Sequence, residues 1–267
     1  MSNRDRIHRR RENGKSYGAL FALITMAFSM MSFGTISTTA IAQREADAEK
    51  ETPPKPLTTY MGRRIALTMS YHGIPWLNRS ERIDEERPAE LLEQLKLKDG
   101  MVVCDMGCGD GYHAFQMAPM VGPSGKVVAV DIQPEMLQEL SRKMKQTEIH
   151  NIDTVLGELW DPKLDAESVD LLLMVDVYHE FAYPVQMLSA IRKSLKKDGL
   201  VALVEFRAED PTVPIKPEHK MSKAQAKKEF KKNGFKLVRE YEKLPWQHVM
   251  FFARDESYAE AGEEPKN

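Results

Sequence analysis

The stretch Val102-Val103-Cys104-Asp105-Met106-Gly107-Cys108-Gly109-Asp110-Gly111 runs from an apolar segment into three glycines at alternate positions. Residues 101–104 read as a buried strand. Residues 112–120 read as a helix, stopped by Gly122-Pro123. Between them lies a turn of the form D-x-G-x-G-x-G. Glycines belong where a turn is tight and a ligand must lie against bare backbone. The helix start beyond the turn offers free N–H groups and a positive dipole end, which suit a carboxylate or a phosphate.

Working outward, the same alternation repeats. Residues 88–95 form a short amphipathic helix before the first strand. Lys126–Asp131 is a strand, 134–147 a helix with proline in its first turn, and Ile152–Leu156 a strand. Val169–Val175 is almost wholly apolar, as strands covered on both faces are. Residues 184–195 are helical and close at Lys196-Lys197-Asp198-Gly199. Residues 200–206 are a strand and 223–233 a helix stopped by Gly234. Residues 236–241 and 246–252 close the chain as a strand pair turning at Leu244-Pro245. Strands alternating with helices of this length define an α/β, doubly wound, mostly parallel sheet.

The dinucleotide fingerprint G-x-G-x-x-G, begun at Gly107 and Gly109, requires glycine at position 112, where the chain has Tyr112. The third glycine instead comes one residue early, and Asp105 stands two residues before the first. Asp131 ends the second strand twenty residues after Gly111. A carboxylate there can accept both hydroxyls of a ribose.

Taken together, these residues resemble motif I and the acidic second-strand end of class I S-adenosylmethionine-dependent methyltransferases. Asn151–Leu159 (NIDTVLGEL) resembles that family's third strand and its adenine-contacting acid. The stretch 169–181 (VDLLLMVDVYHEF) resembles the fourth strand and the motif at its end, and 195–205 (LKKDGLVALVE) the lead into the fifth. The resemblance covers roughly residues 88–253. It implies a Rossmann-like seven-stranded sheet of order 3-2-1-4-5-7-6 with strand 7 antiparallel, and S-adenosyl-L-methionine as cofactor. By that resemblance Asp105, Gly107, Gly109 and Gly111 cradle the methionine part. Asp131 and the adjoining Ile132 hold the ribose, Glu158 and Leu159 face the adenine, and Asp176 stands where the fourth strand opens onto the methyl group.

A sulfonium methyl is already activated. The protein's task is to align a nucleophile and, where needed, take its proton. His179, in Asp176-Val177-Tyr178-His179-Glu180, is the candidate base, because histidine's pKa lies nearest working pH. Asp176 is a second candidate catalytic residue. His179 also admits a purely structural role, packing the loop or capping the next helix. Asp176, His179 and Glu180 form a metal-ligand pattern only with a matching distant ligand, so no metal is expected. Cys104 and Cys108 read as packing residues. With no further cysteines, the clusters expected of arsenic methylation are lacking, as are disulfide frameworks and thiolate zinc sites.

The expected reaction is methyl transfer to a small-molecule acceptor whose identity no residue pattern marks. Two alternatives are a non-catalytic S-adenosylmethionine-binding protein of the same fold and an NAD(P)-dependent oxidoreductase. The aromatics of segment 59–87 (Tyr60, Tyr71, His72, Trp76) either line an acceptor pocket or pack on the sheet edge, and residues 208–220 should border the same cleft.

The 267 residues carry 38 Lys+Arg, 40 Asp+Glu and 42% hydrophobic side chains, a net charge of −2. This composition belongs to a folded chain and gives no support for nucleic-acid binding. The basic run in 223–232 reads as a solvated helix face. No protein partner is inferable.

Residues 1–18 hold six Lys/Arg against Asp5 and Glu12, residues 19–33 carry no charge, and Ala40-Ile41-Ala42 follows. Basic, apolar, A-x-A is the order of a signal peptide over residues 1–42. An uncleaved membrane anchor through 19–42 is the alternative. Either way the expectation is an exported or membrane-anchored protein, with a linker at 43–58, a cap segment at 59–87, the methyltransferase-like domain at 88–253 and a disordered tail at 254–267.

Overall fold

Parallel pairing dominates the sheet, and its order follows from which strands are buried on both faces. The computed structural model describes residues 55–258. The expected signal peptide or anchor lies outside these residues. Nine strands are present among them. β1 (Thr59–Tyr60) and β2 (Arg63–Arg64) form a small antiparallel hairpin. The main sheet comprises β3 (Val102–Met106), β4 (Lys126–Asp131), β5 (Ile152–Leu156), β6 (Val169–Val175), β7 (Leu195–Phe206), β8 (Phe235–Tyr241) and β9 (Gln247–Arg254).

Their spatial order is β5-β4-β3-β6-β7-β9-β8, and only β9 pairs antiparallel with its neighbours. Numbered from the first sheet strand, this is the expected 3-2-1-4-5-7-6. The order reverses between β3 and β6, so the crevice outside their carboxyl ends is the switch point where such sheets bind ligands.

Seven helices accompany the strands among the described residues: α1 (Ile74–Leu77), α2 (Arg82–Glu86), α3 (Pro88–Leu95), α4 (Ala114–Met120), α5 (Pro134–Met144), α6 (Pro184–Ser194) and α7 (Lys223–Lys232). Alternate strand residues face opposite sides. Val103, Leu171 and Leu173 meet Leu91, Leu95, Met117 and Leu140 from α3, α4 and α5. Cys104, Leu172 and Met174 meet Leu188, Ile191 and Phe230 from α6 and α7. Both cysteines are free and buried.

Three boundaries differ from the sequence-based expectation. The helix after the glycine turn starts at Ala114, because residues 110–113 are used up by the turn itself. β7 begins at Leu195 rather than Leu200: Leu195 pairs with Val169 and Leu200 with Leu171, so Lys196–Gly199 bulge out of an otherwise continuous ladder. The tail expected to be disordered from 254 starts inside β9. Beyond it, Asp255 N–H donates to Gly234 O at 2.8 Å and Arg192 lies over the Tyr258 ring. The end of the expected linker is also fixed, with Leu57 N–H donating to Ala182 O at 2.9 Å.

The cap segment is tied down by charge. Arg63 donates twice to the carboxylate of Glu229 on α7, at 2.9 and 3.0 Å, and once to His179 O at 2.8 Å. Tyr178 Oη–H donates to the same Glu229 at 2.7 Å. Glu229 is the buried acid that the basic run conceals. Lys223 and Lys227 on the outer face pair with Glu242 and Glu240.

Candidate active site

A cavity of about 480 Å³ opens at the carboxyl ends of β3, β4 and β6. Its floor is Gly107, Gly109, Asp131, Ile132 and Asp176, with Glu158 and Leu159 at one end and His179 and Glu180 at the other. Its roof comes from two segments outside the repeating fold. One carries Met69, Trp76, Arg79, Arg82 and Glu86; the other carries Pro214, Ile215, Lys216 and His219.

The turn after β3 allows close approach only because it lacks side chains. Gly107 has φ +69°, and a Cβ there would stand 2.5 Å from Val177. Gly109, at φ +55°, would drive a Cβ to 2.8 Å from Leu77 of the roof. Asp131 braces the turn, its two carboxylate oxygens accepting from Gly109 N–H and Gln133 N–H, each at 2.9 Å. Burial raises its pKa, against those backbone donors, which lower it.

Asp105 and Gly111 do not line the cavity. Gly111 lies beneath it against Leu140 and Phe115, where a Cβ would stand 3.0 Å from each. It serves close packing of helix on strand rather than direct ligand contact. Asp105 is buried behind the turn, and its Oδ2 has no hydrogen-bond partner. Burial raises its pKa to about 7, opposed by the Ala114 N–H and the nearby Arg82.

Asp176, the residue after β6, has φ +52°, a left-handed conformation that costs free energy for any residue but glycine. Its Oδ2 accepts from Gln247 Nε2 at 2.6 Å, and its Oδ1 is buried without a partner. Burial first, then the charges of Glu86 and Glu205, hold its pKa well above the usual carboxylate range. Glu158 is half exposed and pairs with Lys163 at 3.2 Å.

His179 is 2% exposed. Its backbone N–H donates to Glu205 Oε1 at 3.2 Å, and its Nδ1–H donates to Glu205 Oε2 at 2.6 Å. Nε2 then carries the lone pair, and it lies 3.0 Å from His219 Nδ1. Burial alone would lower the His179 pKa, but the charge and hydrogen bond of Glu205 outweigh it and the pKa is raised. Burial and the neighbouring His179 lower that of His219. Glu180, which accepts from Met69 N–H at 3.1 Å, is pushed up to about 7 by burial.

The structure thus gathers Gly107, Gly109, Asp131, Ile132, Glu158, Leu159, Asp176 and His179 around one cavity. Of the cap aromatics only Trp76 lines it; Tyr60 instead accepts from Asn233 Nδ2 at 2.9 Å. Sequence reading missed Glu205 and His219. A lone acid in the otherwise apolar run 200–206 (LVALVEF) was the available signal for Glu205. A histidine in the proline-bearing loop after that strand was the signal for His219. The expectation of no metal centre rested on the lack of a distant partner for His179 and Glu180, and His219 supplies one.

Residues 97–254 match the family described as a methyltransferase domain, and the chain belongs to that family. The solved structures that share its fold include S-adenosylmethionine-dependent methyltransferases.

The chain is 26% identical over 150 residues to a protein-L-isoaspartate O-methyltransferase of Fervidobacterium nodosum, covering 56% of this chain and 65% of that one. It is 28% identical over 127 residues to a demethylmenaquinone methyltransferase of Lactococcus lactis, covering 48% and 50%. An arsenite methyltransferase of Halobacterium salinarum matches at 29% over 104 residues, covering 39% of this chain and 27% of that one. The chain spans between a third and two thirds of the length of the first relatives it matches. A solved S-adenosylmethionine-dependent methyltransferase from Aquifex aeolicus superposes with TM-score 0.65 at 24% identity, covering 69% of this chain and 98% of that one. A Pyrococcus horikoshii protein superposes with TM-score 0.57 at 18% identity, covering 70% and 100%. At these identities the structural likeness speaks for the fold.

Proposed function

We propose that the chain transfers the methyl group of S-adenosylmethionine to a small-molecule acceptor seated at the His179 end of the cavity. The observation that carries this is the double roof. Residues 69–86 and 214–219 cover a cavity of about 480 Å³ in which one end is occupied by cofactor-type residues and the other by His179, Glu180 and His219. Cavities of roughly 300–1,000 Å³ suit small ligands.

Asp131 and Ile132 hold the ribose, Glu158 and Leu159 flank the adenine, and Gly107 and Gly109 let the methionine part lie on bare backbone. The buried, unpartnered Oδ2 of Asp105, behind the turn, is a ready acceptor for the ammonium of that methionine through a bridging water. The cofactor supplies an electrophilic methyl group bonded to a positive sulfur. The chain's residues orient the acceptor and handle its proton. In the metal-free chain His179 is the proton acceptor: Glu205 fixes its ring and stabilises the imidazolium, and Nε2 carries the lone pair beside His219 Nδ1 at the cavity wall, where an acceptor hydroxyl displaces the His219 contact. Asp176 shapes the floor between cofactor and acceptor.

The relatives named above act on chemically different acceptors, so acceptor identity needs a direct screen. The test is transfer of labelled methyl from S-adenosylmethionine to a panel of phenols, hydroxy acids, amines, quinols, peptides and RNA. Labelling of a small molecule, lost in His179→Ala, supports the proposal. Labelling confined to peptides or RNA contradicts it.

Export belongs to the same proposal and rests on the basic, apolar, A-x-A order of residues 1–42. N-terminal sequencing of fractionated cells tests it. A start at Gln43 in an exported fraction, or an intact chain in the membrane fraction, supports it; an intact chain confined to the cytoplasm contradicts it.

A further inference from the structure

We propose that His179, Glu180 and His219 bind a divalent first-row transition-metal ion at the acceptor end of the cavity. One ligand atom from each of the three side chains falls within 4.8 Å of the others. They come from two places, the turn after β6 and the loop after β7, and the fold brings them together across forty residues of sequence.

The geometry of the two histidines is the strongest part of the argument. Their facing nitrogens, His179 Nε2 and His219 Nδ1, are 3.0 Å apart. Two imidazole nitrogens at about 2.0–2.1 Å from one ion, subtending an octahedral or tetrahedral angle, stand about 2.8–3.4 Å apart. The observed separation falls within that range. The His179 tautomer is also the required one. Glu205 accepts from Nδ1–H, so Nε2 presents its lone pair, in the carboxylate–histidine–metal arrangement that orients most histidine ligands. Among the described residues no lysine or arginine forms an ion pair with Glu180 or Glu205, two buried or largely buried acids. A bound cation would balance them.

Two imidazoles and one carboxylate suit borderline divalent ions such as zinc, iron or cobalt better than calcium or magnesium, which prefer oxygen donors. The three ligands leave positions open towards the cavity. The identity of the occupant deepens the functional reading and rests on it. An acceptor with an ionisable hydroxyl binds the open position and releases its proton to water, because the ion lowers its pKa. The resulting oxygen attacks the methyl carbon. The new O–C bond forms as the S–C bond breaks, and the electron pair of that bond stays on sulfur. With the ion in place, His179 Nε2 is a ligand and the ion takes over the activation that free His179 would provide.

The experiment is calorimetric titration of the full-length chain, stripped with chelator, with Zn²⁺ and with Co²⁺, the latter also followed by its visible absorption. Wild type, His219→Ala, Glu180→Gln and the control His150→Ala are compared. The expected result is one ion per chain, a cobalt spectrum typical of nitrogen ligation, affinity lowered at least tenfold in His219→Ala and Glu180→Gln, and no change in the control. S-adenosylhomocysteine binding is measured on the same samples. Its retention in His219→Ala shows that the variant is folded and that the methyltransferase reading stands separately. The proposal is overturned if folded wild type binds no stoichiometric ion, or if His219→Ala binds it as tightly as wild type.

Discussion

The Nδ1 of His179 and the Oε2 of Glu205 lie 2.6 Å apart, with both side chains sealed from solvent. The pair joins the turn after β6 to the interior of β7. It therefore sets the direction of His179 Nε2 as firmly as the sheet sets β7. Removing the carboxylate by Glu205→Ala leaves a buried ring N–H and a backbone N–H without acceptors, at about 1–3 kcal/mol for a lost charged hydrogen bond. Urea unfolding should show that loss, while S-adenosylhomocysteine affinity stays within about threefold because the cofactor residues are elsewhere.

Gly107→Ala should disrupt the cofactor end. The residue sits at φ +69°, and the added methyl meets Val177 at 2.5 Å. The left-handed backbone alone costs about 1–2 kcal/mol for an L-residue. Combining Gly107→Ala with Val177→Ala removes the 2.5 Å contact, leaving the Cβ of residue 177 at 3.1 Å, but not the backbone cost, so calorimetry should show only partial recovery of binding. Full recovery would mean that the backbone conformation is not required.

Cofactor affinity should depend on pH through Asp105. Its carboxyl titrates at about 7 in the unliganded chain, chiefly because it is buried, with Arg82 and the Ala114 N–H opposing and Asp131 reinforcing the shift. The native state thus holds a proton that the unfolded state releases near pH 4. Between those values Asp105 lowers the stability of the unliganded chain as pH rises. Binding a methionine ammonium favours the ionised carboxyl, so affinity should climb with pH up to about 7 and then level. Titrations from pH 5.5 to 8.5 should show this slope flattened in Asp105→Asn.

The cap segment should depend on one buried ion pair. Arg63 and Glu229 side chains are 8% and 0% exposed. Glu229→Ala strands Arg63 and takes away the acceptor of Tyr178 Oη–H, a loss of about 3–5 kcal/mol by urea unfolding. The double variant Arg63→Met, Glu229→Leu should recover the part of that loss due to the stranded charge, since apolar replacements of a whole buried pair are often near neutral, while Tyr178 Oη–H still lacks its acceptor.

Much of the sheet is legible in the sequence because its determinants are local. The apolar runs at β3, β4 and β6 and the glycines at 107 and 109 each specify their own conformation. Asp131 and Asp176 are legible because each stands at the end of such a run. The remainder depends on encounters between distant residues. His219 acquires a role only when the loop after β7 folds back over the turn after β6. Glu205 reads as one acid in the apolar run 200–206 until His179 is placed beside it. Leu195 joins β7 because Val169 offers it a partner, which no local signal at Lys196–Gly199 reveals. Arg63, on a two-residue strand, shows no periodicity, and its position is set by Glu229 on a helix 166 residues away.

The central claim, a class I cofactor site built on the β3 turn and Asp131, is tested most directly by calorimetric titration of the full-length chain with S-adenosylhomocysteine, alongside Asp131→Ala and a parallel titration with NAD. The account predicts micromolar binding of the homocysteine compound, no binding of NAD, and a loss of about 1–3 kcal/mol in Asp131→Ala, from ribose hydrogen bonds and the released Gly109 and Gln133 amides. No heat with the homocysteine compound from a folded sample, or equal affinity in Asp131→Ala, would contradict it.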